Sequence, residues 1–481
     1  MGPRAEGHDP QIEVHRDTLI GSLPAERSVS VVEMAKLADP DRRLVVLDDD
    51  PTGTQAVADV PVLTSWEPDD IRWALERPTT GFFVLTNTRS LSEVVAADRI
   101  RTITERCIDA AADAGVRLTF ASRSDSTLRG HFPLETDTIT EVLASRGLVT
   151  DGVIVLPAYI DAGRITVNSD HWVRIPNSSY IPVGASQFAL DESFGFAQSN
   201  LAQWVEEKTL GRVPADHVER FTIVDIRVGG PSMLADRLLR IQLGGVVVVD
   251  AVTDNDLRVL IQALRVTEAG GRQFVCRVGP SFVRAYLGQS AAPPIIPSEL
   301  LAGRTSLSNG LIVVGSHVPV TSRQLAILHE RLCLKVIELD VSDVLTFGGD
   351  QYVDTVAAQV VQSLRTETVV LQTTRQLQRG RDGEDSLQIA RGVSAATSRI
   401  ARIAAEQTDL RYILAKGGIT SSDVATKLGI SRAWVQGSML PGIVSAWLPT
   451  GGIASGVPFI VFPGNVGDPD ALAEVVQRLE Q

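Results

Sequence analysis

The chain has 481 residues, 44% of them apolar and 21% charged, with 45 Lys+Arg against 58 Asp+Glu for a net charge of −13. That size suits two or three domains with ample core, and the mixture excludes a disordered or fibrous chain. The acidic balance excludes a general nucleic-acid binder, which needs basic surface against phosphates, but not a pocket for a small anion.

Residues 1–40 show no strand pattern and read as a tail with one short helix around Val31–Ala38. Arg4, Glu6, His8 and Asp9 break any basic-then-apolar export signal, so a cytoplasmic setting is expected. Cys107, Cys276 and Cys333 are too scattered for a disulfide framework or metal site and read as buried free thiols. From residue 41, apolar runs rich in β-branched residues recur at Leu44–Leu47, Phe82–Leu85, Leu118–Phe120, Val153–Leu156, Thr222–Val224 and Val246–Val249. Helical stretches such as Val94–Ala114 and Leu234–Ile241 separate them. Gly288–Gly310, with Pro293, Pro294 and Pro297, has linker composition. A second series follows at Leu311–Val314, Val336–Leu339, Val369–Leu371, Tyr412–Leu414, Ile443–Trp447 and Phe459–Phe462, with helices expected at Ser322–Leu332 and Ile389–Glu406. Apolar strands alternating with helices predict two α/β domains, each with a mostly parallel sheet covered by helices, over residues 41–287 and 311–481.

Charge is unevenly spread. Residues 311–481 hold 15 basic and 17 acidic side chains, whereas the first 310 hold 30 and 41. Within the C-terminal part, Ala433–Gly467 carries no charge over 35 residues. Pro441, Pro449, Pro458 and Pro463 interrupt it too often for a membrane helix, so it reads as short buried strands joined by glycine loops.

The candidate chemistry lies in the loops that follow strands, where open parallel sheets bind ligands. Asp48-Asp49-Asp50 runs into Pro51-Thr52-Gly53, and adjacent carboxylates are costly unless a cation or substrate relieves them. A capped helix with solvated neighbours is the competing reading. Ser122–Gly130 packs Arg123, Asp125, Ser126, Thr127 and Arg129 together, a set matched to a polyhydroxy acid. A surface ion pair at a helix start competes there. The loop Pro157–Arg164 adds Arg164. In the C-terminal half, small residues end three strands: Gly315-Ser316, then Lys416-Gly417-Gly418-Ile419-Thr420-Ser421, then Pro463-Gly464-Asn465-Val466-Gly467. Such loops let backbone N–H groups reach phosphate, although glycine also serves ordinary turns. Gly442, within the uncharged window, joins them as a backbone candidate. No Walker motif or strand-placed GxGxxG occurs, which disfavours P-loop kinases and Rossmann dehydrogenases. His131, His171 and His317 are too dispersed for a metal triad and read as polar contacts.

Taken together, these segments resemble the four-carbon acid sugar kinase family, formerly a domain of unknown function. The likeness rests on Asp49-Asp50-Pro51-Thr52-Gly53, on Arg123–Gly130 against a Lys-x-Asp-Ser-Thr-Leu-Arg-Gly motif, and on Gly315, Ser316 and Thr321. It extends to Gly417–Thr420 and Pro463–Gly467, spanning about residues 41–481. The resemblance implies ATP-dependent phosphorylation of a threonate, erythronate or oxo-tetronate type of acid, with the acid bound by the N-terminal domain and the nucleotide by the C-terminal one. Asp49, Thr52, Gly53, Arg123, Ser126, Thr127, Arg129 and Arg164 are the expected substrate-binding residues. Ser316, Lys416, Gly417, Gly418, Thr420, Ser421, Gly442, Gly464, Asn465 and Gly467 are the expected nucleotide-binding ones. Arg123, Arg129 or Arg164 would clamp the carboxylate, Asp50 or Asp125 would act as base, and Mg²⁺ would accompany ATP through ligands the sequence does not identify. Arg123 stands where the family has Lys, a third Asp precedes the acidic pair, and Phe462-Pro463 replaces a Lys-Ser pair, so Lys416 is expected to supply the missing cation. A catalytically silent nucleotide or sugar-acid sensor and a hydroxy-acid dehydrogenase are the rival readings. Neither nucleic acid nor membrane is expected as a partner, and a symmetric homodimer is the default assembly.

Overall fold

The computed structural model describes residues 13–242, 244–303, 308–346, 348–375 and 383–481. Residues 1–12 of the expected tail and 304–307 of the expected linker lie outside them. The strands in the first half are β1 (Val14–His15), β2 (Arg42–Asp48), β3 (Val60–Leu63), β4 (Gly81–Leu85), β5 (Arg117–Arg123), β6 (Gly152–Leu156), β7 (Arg164–Val167), β8 (Asp170–Ile175) and β9 (Ser179–Pro182). They continue as β10 (Glu219–Phe221), β11 (Gly245–Val249), β12 (Phe274–Val278), β13 (Asn309–Val314), β14 (Lys335–Leu339), β15 (Val369–Thr373), β16 (Leu410–Lys416), β17 (Arg432–Leu440), β18 (Val444–Pro449) and β19 (Phe459–Phe462).

Backbone contacts divide the chain into two compact units. Unit 1 comprises residues up to Asp49, Ile71–Phe82 and Thr86–Ser290, and unit 2 comprises Asp50–Asp70, Phe83–Leu85 and Ala291–Gln481.

In unit 1, β10, β11, β6, β12, β5 and β2 form a parallel sheet in that order. Its strands are buried along nearly their whole length, which is why they read as unbroken Val, Ile, Leu and Phe runs. A helix such as Glu93–Ala114 fits the turn between strands because Gly115, at φ +68°, ends it in a left-handed cap. A core of Val153, Val155, Leu201, Trp204, Val205 and Val248 fills one side. A small antiparallel sheet, β1-β9-β8-β7, is also present; its short alternating strands gave no clear signal in the sequence. The strand expected at Thr222–Val224 is displaced to β10. The Asp225 carboxylate accepts from the Thr222 N–H and hydroxyl, both at 2.8 Å, and turns the chain into a short π-helical segment, Asp225–Gly229.

In unit 2, β19, β16, β13, β15 and β14 run parallel, while β17 and β18 add an antiparallel section. β3 pairs with β17 through Arg432↔Leu63 to Val435↔Val60 and with the Phe83–Val84 end of β4. The uncharged window therefore folds as β17, β18 and β19, strands separated by glycine turns. Ile312, Val314, Leu414, Ile460, Phe462 and Leu472 lie in one apolar core.

Cys107 and Cys276 are buried thiols, whereas Cys333 is exposed, because it sits in the turn that follows the helix Pro319–Arg331 instead of inside a strand. Among the described residues no helix is long and apolar enough to cross a membrane.

Candidate active site

In unit 1 the strand register builds the site. β2 and β5 run side by side so that Asp48 stands opposite Arg123 at their carboxyl ends. Both are buried, and the Arg123 guanidinium donates to the Asp48 carboxylate. Burial also lowers the Arg123 pKa to about 10. The extra acid and the Lys-to-Arg departure thus form one ion pair, and Arg123 lies beneath the loop as support. Asp49 instead takes a fork from Arg89, with Nε and Nη2 at 3.0 and 2.5 Å from its two oxygens.

The loop after β5 is shaped for close approach. Gly130, at φ +117°, comes so near Asp49 that a Cβ there would meet its carboxylate at 3.1 Å. Inside the loop, Asp125 accepts from Arg129 Nε at 2.6 Å and from the Thr127 hydroxyl. Burial works against its charge, but Arg89, Arg129 and these hydrogen bonds outweigh it and hold its pKa below the ordinary carboxylate value. Arg129 also reaches Asp191 at 3.4 Å and covers the Phe188 ring. Ser126 presents its carbonyl to His171 Nε2 at 2.7 Å, while the other ring nitrogen of His171 meets the Thr166 hydroxyl at 2.9 Å. Burial lowers the His171 pKa to about 4, so the ring is neutral and serves the loop as a scaffold.

Arg164, at the start of β7, differs from its neighbours. It makes no ion pair among the described residues, its Nε is buried without a hydrogen-bond partner, and its guanidinium lies 6.0 Å from the Tyr159 ring. Burial lowers its pKa, while the charge of Asp125 acts in the opposite direction. A cavity of about 1030 Å³ opens at Arg89 and Gly130 and is lined further by His131, Phe194, Lys208 and Arg212, but not by Arg164 or Asp125.

Sequence reasoning missed Arg89, Glu135 and Arg277. Glu135 is buried and accepts from the hydroxyls of Thr88 (2.5 Å) and Ser122 (2.6 Å). Arg277, inside β12, donates to the carbonyls of Asp125 (3.1 Å) and Arg129 (3.3 Å) and pins both ends of the loop. Only Arg89 carried a usable signal, in the polar turn after Phe82–Leu85; Arg277 sits inside an apolar run.

In unit 2 the glycines line the carboxyl ends of β13, β16 and β19. A Cβ at Gly315 would lie 2.6 Å from the Thr420 hydroxyl, and one at Gly464 would lie 2.9 Å from Ser316 Oγ and 3.5 Å from Gly417 Cα. Ser316, Gly417, Thr420 and Gly464 therefore converge. The Thr321 hydroxyl donates to the Gly464 carbonyl at 2.8 Å, and Gln324 Nε2 lies 2.9–3.3 Å from the carbonyls of Val466, Gly467 and Asp468. Ser421 returns its hydroxyl to the Ala415 carbonyl, which fixes the start of the helix Gly418–Lys427. Asn465 is exposed at the loop tip, and Gly442 turns β17 into β18 next to Ile443, which lies 3.8 Å from the Cβ position of Gly467. Asp50 falls in this unit. Its carboxylate accepts from Thr52 N–H (2.9 Å) and hydroxyl (2.6 Å) and stands 3.1 Å from the Cβ position of Gly418; Gly53 continues the same buried turn.

Lys416 does not take the phosphate-facing place expected of it. The side chain is wholly buried, donates to the Pro463 carbonyl at 2.9 Å and lies 4.0 Å from the centre of the Phe462 ring. Burial without a counter-ion lowers its pKa to about 7. The two residues that replaced the family's Lys-Ser pair have become the seat of this amine.

Residues 44–286 match the family described as the sugar-binding N-terminal domain, and residues 311–472 match its companion, the nucleotide-binding C-terminal domain. A D-threonate kinase of Salmonella typhimurium is 24% identical over 370 residues, covering 74% of this chain and 79% of that protein. Two crystal structures share the fold at 18% identity. A Haemophilus influenzae protein of the DUF1537 group has a TM-score of 0.61, with 90% of this chain and 100% of that one covered. A Salmonella typhimurium protein described as a candidate tRNA synthase has 0.66, with 91% and 99% covered. With both domains matched in order, the chain belongs to the four-carbon acid sugar kinase family.

Proposed function

We propose that the protein transfers the terminal phosphoryl group of ATP to a hydroxyl of a four-carbon sugar acid of the threonate, erythronate or oxo-tetronate type. The observation that carries this reading is Arg164: a guanidinium with no ion pair among the described residues, within reach of the charge of Asp125, whose carboxylate also takes the Thr127 hydroxyl. That set suits a molecule carrying one carboxylate and several hydroxyls. The likeness to a D-threonate kinase supports the same substrate class.

In this reading Arg164 clamps the carboxylate, since Arg123 and Arg129 are already engaged by Asp48 and by Asp125 with Asp191. Asp125 orients the acceptor hydroxyl. Phosphoryl transfer depends on positioning and charge neutralisation more than on early proton removal, so a carboxylate of low proton affinity can serve. ATP lies along the strand-end glycines of unit 2, where the loops at Gly315, Gly417 and Gly464 approach the Ser316 and Thr420 side chains. The Gly417 N–H is itself held by the Phe462 carbonyl at 2.8 Å, which fixes the loop. Mg²⁺ would accompany ATP and would neutralise phosphate charge. Asp50, a single carboxylate beside Gly418, fits a cation that keeps most of its ligands as phosphate and water.

Incubating the protein with ATP, Mg²⁺ and a panel of C4 sugar acids while following ADP tests the reading. Acid-dependent ADP release is expected. Binding of both ligands without release would favour a sensor, and a nicotinamide absorbance change a dehydrogenase.

A further inference from the structure

With Lys416 committed to Phe462 and Pro463, the glycine loops of unit 2 have no cation of their own. The neighbouring strand end supplies one. β13 and β15 pair as Val314↔Gln372, so the segments Ser316-His317 and Thr374-Arg375 leave the sheet side by side. Arg375 gives Nη2 to Ser322 Oγ at 2.8 Å, but its Nε and Nη1 are buried without a hydrogen-bond partner among the described residues. His317 is close by: its Nε2 lies 3.4 Å from the Thr373 hydroxyl, and its Nδ1 is likewise buried and unpartnered. Three buried, unpartnered nitrogens on neighbouring residues are costly unless a ligand completes them. Glu338 on β14 is the acid whose charge reaches Arg375, but its oxygen is already held by Gln372 Nε2 at 3.2 Å. Burial and the charge of Arg375 together lower the His317 pKa, as expected for a cationic corner that lacks its anion. The helix Pro319–Arg331 begins two residues later with no side chain capping its first N–H groups, and Ser322 lies in its first turn.

We propose that Arg375 and His317 bind the polyphosphate of the nucleotide, Arg375 supplying the cation that the last glycine loop lacks. This rests on unit 2 being the ATP-binding half. The donors are planar and partly buried, which suits a phosphate oxygen pair more than a hydroxyl.

Calorimetry on the full-length chain with ATP, ADP, AMP and inorganic tripolyphosphate tests it. Arg375→Met is expected to weaken ATP and tripolyphosphate by roughly 30-fold or more and AMP by less, with partial recovery in Arg375→Lys. In the wild type, tripolyphosphate should also raise the pKa of the His317 ring followed by NMR. Unchanged affinities in a folded Arg375→Met protein, or equal weakening of AMP and ATP, would overturn the proposal. If Arg375→Met does not fold, His317→Gln takes its place, with a several-fold loss for tripolyphosphate expected and no change refuting the site. A wild type that binds tripolyphosphate through Arg375 but not ATP would leave the anion site standing and remove the kinase reading.

Discussion

Replacing Lys416 by Met tests whether this buried amine is structural. Its side chain is wholly buried, and its pKa falls from 10.5 to about 7 because burial penalises the ammonium. A tenfold change in proton affinity corresponds to about 1.4 kcal/mol, so the cost of keeping the charge approaches about 5 kcal/mol as an upper figure. The folded pKa lies below the unfolded one. Between pH 7 and 10.5 the unfolded chain therefore holds a proton that the folded chain has shed, and stability rises with pH by up to about 1.4 kcal/mol per pH unit. Below pH 7 both states are charged and the cost is fully present. Met cannot titrate, so the variant should gain most over the wild type near pH 6 and lose that advantage by pH 10. Urea-dependent hydrogen exchange of the peptide Leu410–Lys416, measured at several pH values, reads the stability of this region directly. Parallel pH dependence in the two proteins would refute the reasoning. ATP affinity is expected to change little, whereas a large loss would restore Lys416 as a phosphate ligand.

Arg164→Met should raise the KM for the sugar acid by roughly 30-fold or more while the Kd for ATP stays constant, as determined by steady-state kinetics and calorimetry. Asp50→Asn should still bind ATP but lose about 10²–10⁴-fold in turnover, and near-normal ADP release would contradict a role for this carboxylate. Gly417→Ala forces a side chain onto φ +120° with its Cβ 3.2 Å from the Thr420 hydroxyl, so about 1–3 kcal/mol of stability should disappear in denaturant titrations, together with ATP affinity. His171 has its folded pKa at about 4, below the unfolded 6.5, so stability present above pH 6.5 is lost as pH falls toward 4, by up to about 3 kcal/mol. Acid titration of His171→Gln, followed by circular dichroism, should show a shallower decline than the wild type.

The strands that were legible in the sequence are those buried on both faces, such as β6, β11 and the Leu311–Val314 part of β13, whose side chains are apolar for one physical reason. Those that escaped are short, as in β7–β9, or interrupted by charge. β12 reads Phe-Val-Cys-Arg-Val because Arg277 leaves the apolar pattern to hold two carbonyls of a distant loop. The site followed the same rule. Loops marked by glycine or clustered charge stood out as candidates, including Arg123–Gly130 and Gly417–Thr420. Arg89, Arg277 and Arg375 were not, since each acts alone on a partner far away in sequence. Lys416 was found for its charge, but its wholly buried place was not foreseeable, because spacing says nothing about whether a strand-end side chain turns outward or under the loop.

The chain passes between the two units five times, at Asp49–Asp50, Asp70–Ile71, Phe82–Phe83, Leu85–Thr86 and Ser290–Ala291. One consequence concerns modularity. A fragment starting at residue 291 would lack β3, and β17 would then offer a bare edge containing Ala433, Trp434 and Val435 to any extended chain that met it. Such a fragment is a candidate for self-association instead of an independent nucleotide-binding module. The same weave restricts recombination: swapping one half of this enzyme for that of a relative requires exchanging residues 50–70 and 83–85 together with the C-terminal part. A cut in the Pro-rich stretch separates the sequence but not the folded units.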